Sequence, residues 1–336
     1  MYVAADKLEE HHLPRAMPGR ERQLQRISNV LEPATEGKPA ESCWEIGPSG
    51  VGKTSTAKYL LRELRWNWSI ESEYVSCVSN TRWEALKKIA DEHPSVLATQ
   101  NTSTERLREL IAAPDEPFVV ILDEIGGLEE TALLSDLAGI EWLSLILIGH
   151  RRSNALGQIP DAVDYLRYSE IIEFDPYSHD ALFTILAARR EVALQHGVVD
   201  DRQLERIVAE AGGSARFGVQ ALRSAVDLGI DRGHTTVREE DLEDCFEHAH
   251  ARIRKQQLES LGVNHQLVYR AIRQSGAVRP QEIFEGYEEL GGSNTRQMVV
   301  QYRKKLDEYG LIQETPDGWV AVDETLAAPL REQRIA

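Results

Sequence analysis

Residues 47–54 read Gly-Pro-Ser-Gly-Val-Gly-Lys-Thr, a complete G-x-x-x-x-G-K-[ST] phosphate-binding loop. Its glycines allow backbone N–H groups to surround phosphate oxygens, and a helix that starts near Lys53 directs its positive end at them. We expect Lys53 to reach the β- and γ-phosphates of a nucleoside triphosphate and Thr54 to hold Mg²⁺. The predicted nucleotide contacts in this loop are Gly47, Pro48, Ser49, Gly50, Val51, Gly52, Lys53, Thr54 and Ser55.

The segments on either side of the loop have the character that the motif requires. Residues 43–46 have the pattern of a short strand, and residues 55–64 have helical periodicity. A strand, a loop and a helix in this order favour a true phosphate site over a chance match in a glycine-rich loop.

A second motif supplies acidic side chains. Residues 118–122 are all apolar and are followed by Asp123 and Glu124, as in a buried parallel strand whose carboxyl end carries ligands. Taken alone, these carboxylates would favour an ordinary acidic turn. Because the phosphate loop lies about 70 residues upstream, we expect Asp123 to complete the Mg²⁺ shell and Glu124 to polarise the water that attacks the γ-phosphate.

The elements around these motifs predict an α/β fold with a three-layer parallel sheet. A first helix is expected from the Pro18-Gly19-Arg20-Glu21 segment to about Leu31, followed by a loop over 33–41. Strands are predicted at 43–46, 73–78, 118–122, 144–148 and 170–174, and helices at 53–65, 81–91, 104–113 and 129–138. An all-α segment follows, with helices at 178–196, 201–211, 215–231 and 238–258.

The last part of the chain predicts a winged helix-turn-helix. Three helices are expected at 264–275, 279–289 and 293–309, and a strand, turn and strand over 311–322. Residues 293–305 carry four positive charges and no negative one, as a helix that reads the DNA major groove would. The alternative is a solvated face on a protein-docking module. The predicted DNA contacts are Asn294, Thr295, Arg296, Arg303 and Lys304.

Composition and charge describe an acidic globular protein. The 336 residues carry a net charge of −17, and only nine of the 38 basic residues are lysine. Such a surface is typical of adaptation to high salt, although an ordinary acidic cytosolic protein would also fit. The longest apolar candidate, residues 143–148, is strand-sized, and the N-terminal residues lack the build of a signal peptide. We therefore expect a cytoplasmic protein with no membrane partner, and the predicted DNA contacts imply that it is associated with the nucleoid.

Four sequence features together resemble the AAA+ replication initiators of archaea, which are relatives of the eukaryotic origin-recognition and helicase-loading proteins. The first two are the phosphate loop and the P-x-R-E-like segment at residues 18–21. The others are Leu122-Asp123-Glu124-Ile125 and the Phe174-Asp175-Pro176-Tyr177 junction, followed by a G-D-A-R-like lid segment at 213–216. The resemblance covers nearly the whole chain. It implies an AAA+ base at 14–175, a helical lid at 176–257 and a winged helix at 258–336.

The resemblance also implies partners and residue roles. ATP/ADP and Mg²⁺ would be the cofactors, with slow hydrolysis acting as a conformational switch. Double-stranded origin DNA would be bound, and replicative helicase and further initiator copies would be partners. Arg216 would be the lid arginine that reaches the γ-phosphate, with Ser214 standing where the family has Asp. Arg20 and the neighbouring backbone would form the adenine pocket, and Tyr177 would be a further nucleotide-binding residue.

Two positions depart from the family pattern. The nearest equivalent of the asparagine that follows the fourth strand is Asn154, which is displaced along the chain. Ala162 falls where the family has a candidate arginine finger, and Arg167 is the nearest replacement. Hydrolysis is therefore less firmly predicted than binding. A weakened, nucleotide-gated DNA-binding regulator and a signalling P-loop ATPase with an internal winged helix stay open as alternatives.

Overall fold

The computed structural model describes residues 1–9, 12–78, 80–93, 97–128, 131–152, 157 and 159–328. The chain divides into two compact units, residues 1–246 and 247–336. The first unit contains a five-stranded sheet and a helical bundle, and the second contains a smaller set of helices and a hairpin. None of the described helices combines the length and apolar content needed to cross a bilayer.

The sheet of the first unit is parallel throughout and has the order β2-β3-β4-β1-β5. Every residue of β1, β3 and β4 is buried, because these central strands are covered on both faces. The strands are β1 Cys43–Ile46, β2 Glu71–Ser76, β3 Phe118–Asp123, β4 Leu143–Gly149 and β5 Glu170–Glu173.

Helices surround the sheet and then form a bundle of their own. Those that precede the end of β5 are α1 Glu21–Thr35, α2 Lys53–Trp68, α3 Arg82–Glu92, α4 Thr104–Ala112 and α5 Ala132–Leu137. Those that follow β5 are α6 His179–Ala193, α7 Asp201–Ala211, α8 Ala215–Asp231 and α9 Glu239–Ser260. Short 3-10 helices lie at Ala5–Leu8, Ile125–Gly127 and Asp161–Tyr168.

Side-chain alternation along the strands builds two cores, one on each face of the sheet. Val119 and Ile121 of β3 pack with residues of α1 and α2, whereas Val120 and Leu122 pack with residues of α3, α4 and α5. The continuous apolar run of β3 in the sequence therefore reflects burial on both faces.

The register of the sheet brings the predicted site residues to one edge. Ile46, the last residue of β1, is level with Gly149, the last residue of β4. Leu122 of β3 is level with Leu147 of β4. The phosphate loop, the carboxylates after β3 and the residue after β4 thus leave the sheet at the same end, where ligands bind in parallel sheets.

Several element boundaries differ from the sequence prediction by a few residues, and those of α1 and β2 have a clear physical reason. Helix α1 continues through Pro33 to Thr35, although a loop was predicted from residue 33. Leu31 and Ala34 are only 1% and 3% exposed, and this packing outweighs the single hydrogen bond that a proline removes near a helix end. Strand β2 starts at Glu71 rather than 73, because its pairing with β3 extends to that residue despite its polar side chains.

The first residues of the chain pack on the helical bundle, which the sequence did not predict. Val3 N and Ala4 N donate to Ala193 O at the end of α6, at 2.8 and 3.1 Å. The hydroxyl of Tyr2 donates to Asp227 of α8 at 2.6 Å. Leu8 is fully buried. A segment that precedes the sheet in the chain is thereby attached to the bundle that follows it.

The described part of the second unit contains the end of α9, three further helices and a hairpin. The helices are α10 Val263–Ser275, α11 Pro280–Glu289 and α12 Arg296–Glu308. Strands β6 Ile312–Thr315 and β7 Gly318–Ala321 pair antiparallel around a two-residue turn. The core contains Tyr269, Tyr287 and Tyr302, each no more than 1% exposed. The order of elements agrees with the sequence prediction for this segment.

Candidate nucleotide-binding site

The phosphate-binding loop connects β1 directly to α2. Gly50 and Gly52 have φ angles of 79° and 87°, in the left-handed region that glycine adopts without strain. Gly52 is the N-cap of α2, and its carbonyl oxygen accepts a hydrogen bond from Thr56 N at 2.8 Å. The first N–H groups of a helix have no acceptor within the helix, so this junction has the geometry of an anion site.

The amino group of Lys53 lies within the loop. Its Nζ donates to Gly47 O at 2.7 Å and to Pro48 O at 2.6 Å, and the residue is only 7% exposed. Burial lowers the pKa of Lys53 to about 8, while the nearby carboxyls of Asp123 and Glu45 oppose this shift. Two backbone carbonyls thus hold the ammonium, and a phosphate group would be a stronger acceptor for it.

The two residues predicted to hold magnesium are in direct contact. The hydroxyl of Thr54 donates to Asp123 Oδ2 at 2.6 Å. Burial raises the pKa of Asp123, and the hydrogen bond from Thr54 opposes that rise. A hydroxyl and a carboxylate oxygen are the hard ligands that Mg²⁺ prefers, and these two atoms are close enough to share one ion.

Tyr74 joins this pair and was not predicted. Its hydroxyl donates to the same Asp123 oxygen at 2.9 Å. Burial raises the pKa of Tyr74 far above its ordinary value, so the phenol stays protonated as a donor. A tyrosine inside a strand gives no signal of such a role in the sequence. Only the pairing of β2 with β3 brings it to the carboxylate.

Glu124 follows β3 in a left-handed conformation, with φ 59° and ψ 49°. This costs a non-glycine residue about 1–2 kcal/mol, and such outliers concentrate at functional sites. Its Oε1 lies 3.9 Å from Nε2 of His150, the first residue after β4. His150 is thus a polar side chain at the end of the fourth strand, a position for which the sequence offered only Asn154. Asn154 lies outside the described residues.

The helical bundle contacts the phosphate loop through the segment that begins α8. Ala215 N donates to Gly50 O at 3.0 Å, and Arg216 Nη1 donates to Ser49 Oγ at 3.1 Å. Ser214 is the N-cap of α8, since its side chain accepts from Phe217 N. The serine thus supports the helix start that carries Arg216. This arginine lies beside the phosphate loop, and its contact with the γ-phosphate stays a prediction.

Arg20 and Tyr177 also lie beside the loop. Arg20 is 4% exposed and donates to Val51 O through Nε and Nη2, at 3.0 and 2.9 Å. Its guanidinium carbon lies 3.7 Å from the centre of the Tyr177 ring. The predicted contact of Arg20 with adenine stays a prediction, and the observed bonds of this side chain are to the backbone.

Glu45 is a buried acid behind the loop that was not predicted. It is fully buried in β1, two residues before Gly47. Neither carboxyl oxygen has a hydrogen-bond partner among the described residues. Burial raises the pKa of Glu45 well above its ordinary value, and the charge of Asp123 raises it further. Burial thus favours the protonated form of this side chain, while the nearby ammonium of Lys53 opposes the shift.

The two positions considered for an arginine finger, 162 and 167, lie in the 3-10 helix Asp161–Tyr168. Ala162 has no guanidinium. Arg167 donates to Ile159 O at 2.7 Å and pairs with Asp164 at 2.9 Å. The guanidinium of Arg167 is thereby bound to its own segment.

The predicted DNA-binding residues divide into two groups. Arg296 and Lys304 are exposed on α12, and Thr295 is the exposed N-cap of this helix. Asn294 and Arg303 bond within the unit. Asn294 Nδ2 donates to the hydroxyl of Tyr302 at 2.6 Å, and the Arg303 guanidinium lies over the Trp319 ring at 4.6 Å.

Two family models match the chain. They are the AAA ATPase domain over residues 16–148 and the Cdc6 AAA+ ATPase-type lid domain over residues 183–247. ORC1-type DNA replication protein 9 of Halobacterium salinarum is 31% identical over 308 residues, which cover 90% of this chain and 87% of that protein. The chain belongs to the ORC1-type DNA replication protein family. A second member, ORC1-type DNA replication protein 1 of the same organism, is 31% identical and matches 85% of this chain and 95% of its own length.

The fold agrees with this family. The Aeropyrum pernix ORC1 protein, solved in complex with DNA, superposes with a TM-score of 0.71 and 25% identity, covering 93% of this chain and 89% of that one. The expected replication-initiator family and the AAA+ parallel sheet with a helical lid are thereby confirmed. Residues 183–247, which the lid model matches, include α7 and α8.

Proposed function

We propose that this ORC1-type chain is an ATP-responsive DNA-binding initiator that holds ATP or ADP with Mg²⁺ between its phosphate loop and its lid. The observation that supports this most strongly is the convergence of Lys53, the Thr54–Asp123 pair and Arg216 on one loop. Lys53 and Arg216 would contact the phosphates, and Thr54 and Asp123 would hold the metal. The metal would neutralise phosphate charge and fix its orientation.

The residues after β3 and β4 support slow hydrolysis. Glu124 would accept a proton from the attacking water, and His150, 3.9 Å from it, would help to orient that water. No finger arginine is available at Ala162, and Arg167 is bound to Asp164. An arginine finger can contribute roughly 10³-fold or more to the rate of phosphoryl transfer, so alanine at position 162 favours a slow switch over a fast motor.

We propose that the second unit is a winged helix that binds double-stranded DNA through α12. Arg296 and Lys304 are the exposed cations of this helix among the predicted contacts. The similarity to an ORC1 protein solved with DNA supports this role. In this scheme the domains run over 14–175, 176–257 and 258–336, and α12 would enter the major groove.

The family points to a role at replication origins. We propose that the chain recognises origin DNA and helps to recruit a replicative helicase, acting with further initiator copies. The alternative, a catalytically weakened regulator with the same nucleotide and DNA sites, is favoured by one specific observation, the alanine at position 162. The rate of ATP turnover distinguishes the two.

ATP binding and hydrolysis by wild type and Glu124→Gln test the nucleotide part of this proposal. We expect slow turnover in wild type and about 10²-fold less in the variant, since removal of a general base costs at least this much, with ATP affinity retained. Glu116→Gln, an exposed glutamate just before the same strand, is the matched control and should hydrolyse at the wild-type rate. Equal rates in wild type and Glu124→Gln would show that Glu124 is not the base.

A further inference from the structure

The guanidinium of Arg20 donates hydrogen bonds to three backbone carbonyls. Nε and Nη2 donate to Val51 O, at 3.0 and 2.9 Å. Nη2 also donates to Asp175 O at 2.7 Å, and Nη1 donates to Gly19 O at 3.0 Å. Four N–H groups are used by these bonds, out of the five that a guanidinium has. At 4% exposure, almost none of the side chain is open to a ligand.

These bonds connect two segments that are far apart in the chain. Val51 belongs to the phosphate loop, and Asp175 belongs to the junction between the sheet and the helical lid. A single planar group therefore fixes the distance between the loop and the junction. Lysine would not reproduce this geometry, because all three donors of an ammonium leave one atom, whereas those of a guanidinium are spread over a planar fork.

Tyr177 extends this connection into the lid. Its ring stacks on the Arg20 guanidinium at 3.7 Å, and its backbone N donates to Gly213 O at 2.9 Å. The ring also packs on the loop, since a Cβ atom added to Gly52 would lie 2.4 Å from the Tyr177 hydroxyl oxygen. Moving this ring would disturb the loop and the lid together.

The lid holds the other part of the same loop. Ala215 N and Arg216 N approach Gly50 O at 3.0 and 3.4 Å, and Arg216 Nη1 approaches Ser49 Oγ at 3.1 Å. Residues 49 and 50 are thus bound by the lid segment that follows Gly213, and residues 51 and 52 are bound by Arg20 and Tyr177. The loop, the junction and the lid form one continuous set of contacts.

We propose that Arg20 is a positioning residue that couples the shape of the phosphate loop to the closure of the lid, and that it does not read the nucleobase. This inference rests on the proposed nucleotide binding. It replaces the adenine contact that the family resemblance implies for this residue. Loss of Arg20 should reduce the affinity for every nucleoside triphosphate by the same factor, because the defect lies at the phosphates and the lid.

The test compares ATP and GTP affinities of wild type, Arg20→Lys and Tyr177→Leu by calorimetry or fluorescence titration. We expect the affinities for both nucleotides to fall about tenfold in each variant, the loss expected for one or two hydrogen bonds, and the ratio of GTP affinity to ATP affinity to stay unchanged. Arg22→Lys, an exposed arginine in α1, is the control and should leave both affinities unchanged. Tyr177→Leu keeps the test open should Arg20→Lys fail to fold.

A double-mutant cycle separates coupling from a merely structural role. In the wild-type background we expect Arg216→Ala to reduce the affinity for ATP strongly. In the Arg20→Lys background the same substitution should reduce it several-fold less, because the lid is already uncoupled from the loop. Additive effects, or a GTP-to-ATP ratio that shifts tenfold in Arg20→Lys, would overturn the inference. A wild-type protein with no affinity for ATP would instead contradict the proposed function.

Discussion

Glu45 offers a quantitative test of how the site is built. Its carboxyl group is fully buried behind the phosphate loop, and neither oxygen has a hydrogen-bond partner among the described residues. A buried polar group left unpaired costs about 1–3 kcal/mol. Substitution by the isosteric amide in Glu45→Gln removes the titration and keeps the shape, so the difference between the two proteins reports the proton on Glu45.

The sign of the pH dependence follows from the direction of the pKa shift. Burial raises the folded-state pKa of Glu45 well above its ordinary value of 4.5. The unfolded chain therefore releases this proton at lower pH than the folded protein does, and wild-type stability falls as pH rises through that interval. Between the pKa values of Glu45 in the unfolded and folded states, the free energy of unfolding of wild type should fall by about 1.4 kcal/mol per pH unit relative to that of Glu45→Gln.

The assay is urea unfolding followed by circular dichroism at pH 4.5, 6, 7 and 8. Near pH 4.5 the two proteins should have similar free energies of unfolding, and Glu45→Gln should become progressively more stable above it. The control is Glu41→Gln, an exposed glutamate just before the same strand, which should track wild type at every pH. A difference between Glu45→Gln and wild type that does not change with pH would refute the rise in the pKa of Glu45 on folding.

Three further predictions concern the loop and the second unit. ATP affinity should fall above pH about 8, where Lys53 of the free protein loses its proton. The fall should reach roughly tenfold one pH unit above that pKa, since only the charged fraction binds. A flat affinity profile from pH 7 to 9.5 in a fluorescent-nucleotide titration would contradict this. Gly52→Ala should abolish ATP binding in the same assay, because the residue has a φ of 87° and the added Cβ would lie 2.4 Å from the Tyr177 hydroxyl oxygen. Gly37→Ala is the control, since this residue has a φ of 73° and open space around it, and the variant should bind ATP normally. Arg303→Ala should lower the unfolding midpoint, because its guanidinium packs on an aromatic ring. Lys304→Ala should keep the unfolding midpoint and reduce the salt slope of DNA binding by about 1, the change expected for one phosphate contact. If Lys304→Ala lowered the midpoint in thermal melts and Arg303→Ala lowered the salt slope instead, the structural and DNA-binding roles of these two residues would be exchanged.

The sequence predicted the elements of the fold well because its patterns are local. The five strands, the helices around them and the hairpin follow from periodicity and from glycine and proline positions. The continuation of α1 through Pro33 was missed because it depends on how Leu31 and Ala34 pack against the sheet. The attachment of Tyr2 and Leu8 to the lid was missed for the same reason.

The sequence singled out those candidate-site residues that belong to a motif and missed those that only the sheet brings there. Lys53, Thr54 and Asp123 belong to spaced motifs, and the structure brings them together. Tyr74 and His150 reach the same place through strand order, which pairs β2 and β4 with β3. No local pattern marks either residue, because their neighbours at the site lie far away in the chain.

The central claim is that a nucleotide bound at the loop controls engagement of duplex DNA. Titration of the full chain with duplex DNA, in Mg²⁺ with ATP or with ADP and over a series of salt concentrations, tests it most directly. The account predicts measurable affinity that decreases with salt and differs several-fold between the two nucleotides. No duplex affinity at any salt concentration, or the same affinity with ATP and ADP, would contradict it.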